Sequence, residues 1–100
     1  MARDGIVANV VNMDKQGRIC LGGFLRENVK VLSMEYSIDS NLVYIFSPEN
    51  NNSFFLRPTV SVDLKNRIII PVWMRKYLDS EKLGIAFEGD KLVLVPIYDS

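Results

Sequence analysis

Met13-Asp14-Lys15-Gln16-Gly17-Arg18-Ile19-Cys20-Leu21 and Val62-Asp63-Leu64-Lys65-Asn66-Arg67-Ile68-Ile69-Ile70 are one phrase written twice, 49 positions apart and without a gap. Each places an Asp four residues before an Arg and follows the Arg with three small or aliphatic residues. At the same offset Phe24 meets Trp73, Leu25 meets Met74, Arg26 meets Arg75 and Val29 meets Leu78. With one further residue inserted, Leu42-Val43-Tyr44-Ile45 meets Leu92-Val93-Leu94-Val95. Self-similarity at a fixed period marks a structural unit used more than once. The chain is therefore read as two divergent copies of one β-rich unit, 5–48 and 54–97, with a linker at 47–53, forming a single domain over 1–100.

Each copy reads as strand, tight turn, return strand, arm and hairpin. Ile6 to Met13 is apolar and valine-rich, which favours a half-buried strand. In the bend, Asp14 or Asp63 can accept from backbone N–H groups ahead of it. Gly17 and Asn66 occupy the same place, and these are the two residues that most readily take left-handed backbone. Arg18 to Leu21 and Arg67 to Ile70 are the return strands. Pro71 then suits a helix start, and Val72 to Leu78 is predicted as a short helical arm. Gly22-Gly23 predicts a less regular arm in the first copy. Lys30 to Ser37 and Leu42 to Phe46 flank the turn signal Ile38-Asp39-Ser40-Asn41, and Lys82 to Glu88 and Lys91 to Pro96 flank Gly89-Asp90.

A chain of 100 residues buries about 60–65% of its unfolded surface, so both copies are expected to contribute to one core. The absence of histidine and the single cysteine remove zinc sites, Ser-His-Asp triads and Cys-His dyads, and no cofactor or metal is expected. The symmetric pair Asp14 and Asp63 lacks the hydroxyl residue and glycine that follow the carboxylates of aspartic proteases, so a non-enzymatic role is expected. No apolar run approaches the roughly 20 residues that span a bilayer. Met1-Ala2-Arg3-Asp4-Gly5 is too polar for a secretory signal, and a lone Cys20, read as a small buried strand residue, suits a cytoplasmic location.

Twelve basic and twelve acidic residues cancel, yet their distribution is uneven. The windows Asp14 to Lys30 and Asp63 to Asp79 together hold eight bases and four acids, and the rest of the chain holds four bases and eight acids. If the two bends and arms share a face, that face is positive and suits phosphate contacts. Phe24 and Trp73 are expected to anchor the arms in the core.

The repeated Asp-x-x-x-Arg, its apolar run, the Pro or small residue, the aromatic and the second Arg resemble the AbrB-like family of swapped-hairpin regulators. Two such units in one chain resemble the tandem arrangement of its MraZ members. The resemblance implies a mostly β fold, a double-split, swapped-hairpin AbrB-like β-barrel built from two internal repeats with short helical arms. It implies a transcriptional regulator that binds double-stranded DNA through Lys15, Arg18, Arg26, Lys65, Arg67, Arg75 and Lys76, with Asp14, Asp63, Gly17 and Asn66 shaping the turns. The family also contains antitoxins of the MazE kind, which implies the alternative of a barrel serving a protein partner or homo-oligomer without DNA. The chain departs from the family at Val11 and Val60, where a base is common, and at Gly22-Gly23, which replaces the proline.

Overall fold

Short β-strands dominate the chain, and the halves on either side of residues 47–53 supply them in alternation. The computed structural model describes residues 9–25, 29–47, 59–89 and 91–98. In order the elements are β1 (Asn9–Asn12), β2 (Arg18–Cys20), a 3-10 turn (Gly22–Phe24), β3 (Val31–Ser37), β4 (Leu42–Phe46), β5 (Thr59–Ser61), β6 (Arg67–Ile69), α1 (Val72–Leu78), β7 (Lys82–Glu88) and β8 (Lys91–Pro96). Six strands form one strongly curled sheet in the order β1-β7-β8-β4-β3-β5, and β2 pairs with β6 in a separate ribbon. The linker beyond Ser47 and residues 6–8 of the strand expected from Ile6 lie outside the described residues.

The registers carry an approximate two-fold relation. β1 pairs with β7 of the other half, and β5 reciprocates by pairing with β3. In the ribbon Ile19 faces Ile68, and in the sheet Tyr44 faces Val93; both pairs are 49 positions apart. The alignment of the last strand is thereby corrected. Val43 and Ile45 are buried as Leu92 and Leu94 are, so the equivalence is gap-free here and needs no inserted residue. The turn 38–41 is two residues longer than the turn 89–90, which offsets the two hairpins in sequence but not in register. Side chains alternate with a period of two, so a one-residue slip would put Leu42 and Tyr44 in the core.

The core lies between the concave face of the sheet, the inner face of the ribbon and one face of α1. Met34, Ile45, Leu83, Ile85 and Leu94 meet Ile19, Ile68, Met74 and Leu78, all at most 1% exposed. α1 begins after Pro71, whose φ of −55° feeds a helix, and ends at Asp79, which takes φ 49° while its N–H bonds Arg75 O. Met74 and Leu78, four apart, are the buried stripe. The first arm starts as a 3-10 turn at Gly22, left-handed at φ 49°, and the turn ends where Leu25 takes extended backbone at φ −99° and ψ 143°.

Candidate nucleic-acid interface on the β2–β6 ribbon

The two bends are built alike. The Asp14 Oδ1 accepts from the N–H of Gln16 and of Arg18, each at 2.9 Å, while Oδ2 accepts from Arg18 Nε at 2.7 Å. In the second copy Asp63 Oδ1 accepts from Lys65 and Arg67 N–H at 2.8 and 2.9 Å, and Oδ2 from Arg67 Nε at 2.8 Å. The carboxylate thus caps the turn and clamps the arginine at once, which settles two roles in one group. The accepted Arg18 and Arg67 backbone N–H groups hold Asp14 and Asp63 below the usual carboxylate range, and the paired guanidinium adds to this. Gly17 at φ 83° and Asn66 at φ 58° take the left-handed backbone expected of them.

Reciprocal bonds tie each bend to the other half. Gly17 O accepts from Ile70 N–H and Asn66 O from Leu21 N–H, both at 2.8 Å. Residues opposite one another in an antiparallel ribbon share a face. With Ile19 and Ile68 turned inward, Arg18 opposite Ile69 and Cys20 opposite Arg67 all face outward. Strand rise and spacing put the Arg18 and Arg67 Cα atoms on a diagonal about 8 Å apart. Both guanidinium groups keep about a third of their side-chain surface in solvent despite the clamps. The bends themselves stand at opposite ends of the ribbon, with Lys15 and Lys65 exposed at their tips.

The arm cations do not join this face as one set. Around a helix the buried pair Met74 and Leu78 sets one direction; Arg75 then lies on the flank toward the first bend, and Lys76 points away from the core. Arg75 lies over Gly17 so closely that a Cβ there would sit 2.6 Å from its Cζ. It borders a groove of about 350 Å³ together with Met13, Asp14, Lys15, Asp79, Ser80 and Glu81. Its Nε is buried and makes no hydrogen bond among the described residues. Arg26, expected to be its counterpart, lies outside the described residues.

Two expectations are corrected. Cys20 is exposed, because the strand's inward position belongs to Ile19; its Sγ lies 3.6 Å from Lys65 O. Trp73 is 48% exposed, because Met74 next to it takes the core position of α1. Phe24 is partly buried against the core. Trp73 instead joins Tyr36 and Tyr77 in a ring cluster with centroids 5.5–6.5 Å apart. The Trp73 and Tyr77 spacing of four, beside Met74 and Leu78, was the available signal for that outer stripe.

Among the described residues no helix is long and apolar enough to cross a membrane. No protein-family model matches the chain, and no curated protein matches it either.

Proposed function

We propose that the chain is a DNA-binding regulator that lays the outer face of the β2–β6 ribbon against duplex DNA. The reading further takes the curled sheet and ribbon as an AbrB-like swapped-hairpin barrel closed within one chain. The observation that carries it is the diagonal placement of Arg18 and Arg67 on the outer face of the ribbon, each clamped by its own Asp and open to solvent. Duplex DNA has approximate two-fold symmetry, so a two-fold pair of fixed guanidinium groups matches it better than mobile side chains would. Arginine engages phosphate oxygens or guanine edges through two N–H groups, and a pre-oriented fork loses less entropy on doing so. Lys15 and Lys65 at the bend tips extend the cationic track along the groove. Arg75 and Lys76, which point to different sides of α1, serve the first bend and the solvent respectively and drop to a secondary role.

Anisotropy of labelled mixed-sequence duplex tests the reading. Four phosphate contacts give a log–log salt slope near −3.6, hence a loss of about two orders of magnitude between 50 and 200 mM salt. Arg18→Gln and Arg67→Gln together should abolish binding while leaving the Asp14 and Asp63 caps on the backbone in place. Undetectable binding at low salt ends the proposal.

A second reading, a protein-interaction or antitoxin-like module, is favoured by one observation. Asp14, Asp79 and Glu81 crowd the groove beside Arg75, and such carboxylates oppose a polyanion.

A further inference from the structure

We propose that a second copy of this chain docks on the outer face of α1 and the adjoining tip of the β3–β4 hairpin, forming a closed two-fold dimer. The surface consists of Tyr36, Val72, Trp73 and Tyr77, with Tyr98 and Ile38 at its border. Val72, Tyr77 and Tyr98 are each more than half exposed, Trp73 nearly so, and Ile38 is three-quarters exposed. Half-exposed rings and aliphatic chains of this size present on the order of 500 Å² of apolar surface. A standard interface takes about 800 Å² from each partner, of which about 450 Å² is apolar, so the patch is the size of one interface centre. A patch of this extent lies in the upper part of the range that monomers show, about 300–600 Å², and patches in that range are often functional.

The patch is also held rigid, which lowers the entropy lost on docking. Tyr36 Oη donates to Asn41 Oδ1, Asn41 Nδ2 donates to Tyr98 Oη, and Tyr98 Oη donates to Leu78 O. Tyr36 stacks on Tyr77 at 5.5 Å, and Trp73 stands edge-on to both. Aromatic side chains fixed in this way are the residues that dominate binding energy at protein interfaces.

Charge selects the occupant. Lys76 stands on the helix crest on one side of the rings, and Asp39 stands at the hairpin tip on the other; both are exposed, and neither forms an ion pair among the described residues. A two-fold contact places residue i of one copy against residue j of the other and j against i. Lys76 of each copy then meets Asp39 of its mate at both rims. A polyanion would find one cation here and an acid beside it, so the face suits DNA poorly.

The opposite flank explains why assembly stops at two. There Phe24 and Phe87 pair at 5.5 Å, occupying the places of Trp73 and Tyr36. At the position aligned with Tyr77 the sequence has Asn28, which lies outside the described residues and carries no ring. One complete three-ring patch among the described residues gives a closed pair, whereas two would propagate a fibre.

Sedimentation equilibrium of the full chain in DNA-free buffer, from micromolar to millimolar concentration, decides the matter. The expected mass rises from 11.4 kDa to twice that value. Val72→Asp and Tyr77→Asp, both at solvent-facing positions, should raise the dissociation constant at least about tenfold without loss of helical circular dichroism. Lys76→Asp alone should weaken the dimer, and Asp39→Lys added to it should restore it. A mass of 11.4 kDa throughout overturns the proposal, as does a dimer indifferent to Val72→Asp and Tyr77→Asp. A monomer whose single tryptophan, Trp73, shifts its fluorescence only on addition of duplex gives the face to DNA and overturns it equally.

Discussion

At the first bend Asp14 holds the Arg18 N–H at 2.9 Å and its Nε at 2.7 Å; at the second, Asp63 holds Arg67 at 2.9 and 2.8 Å. The clamps agree within 0.1 Å, while their surroundings diverge. Over the first bend Arg75 reaches from a regular helix and lies against Gly17. At the second, Asn66 donates to Gly22 O at 3.1 Å, and the arm beside it is a single 3-10 turn. The clamp chemistry is the same at both bends, whereas the packing around them differs. The first bend depends on an absent side chain, and the second on a present one.

That contrast can be broken at four points. The largest effect is expected at the arms. Met74→Ala empties a fully buried site and should cost about 3 kcal/mol, whereas Leu25→Ala, half-buried at the equivalent place, should cost about half as much. Urea unfolding of the two variants measures the difference, and equal losses would mean that the arms contribute alike. Next comes Gly17→Ala. A left-handed φ of 83° and the overlying guanidinium should together cost about 1–2 kcal/mol, and Arg75 should swing into solvent. Asn66→Gly relieves φ 58° but loses the bond to Gly22 O, so the opposed terms should leave a loss under about 1 kcal/mol.

The smallest effect concerns acid. Asp14 and Asp63 titrate below their ordinary value of 3.8 in the folded chain. A depressed folded value gives stability that is present above the unfolded value and lost as pH falls through the folded one. Asp14→Asn and Asp63→Asn should each flatten the melting-temperature profile below pH 3.8, and by similar amounts because the clamps match. A flattening seen in only one variant would show that the bends differ in the clamp as well as around it.

Much of the succession of elements along the chain was legible in the sequence for a physical reason. Pro71 bounds α1 at Val72, and the Gly89-Asp90 connection bounds β7 and β8 at Glu88 and Lys91. Such signals are local, and each depends on one residue's backbone preference. What was not legible depends on partners far along the chain. Cys20 was read as buried because its face is set by Ile19 meeting Ile68 from the other half. The register of β4 with β8 depends on two turns of unequal length. Arg75 was grouped with Lys76 as an arm base, although adjacent helical residues differ by about 100° in direction. The Tyr36–Trp73–Tyr77 cluster joins a strand of one half to a helix of the other, and no window of sequence contains it.

The most direct test of the functional account is a ¹⁵N–¹H titration of the chain with duplex DNA at low salt. The account predicts the largest shifts at Lys15, Arg18, Lys65 and Arg67, similar on the two halves and reversed by salt. Shifts confined to one bend, or gathered on the outer face of α1, or none at all, would contradict it.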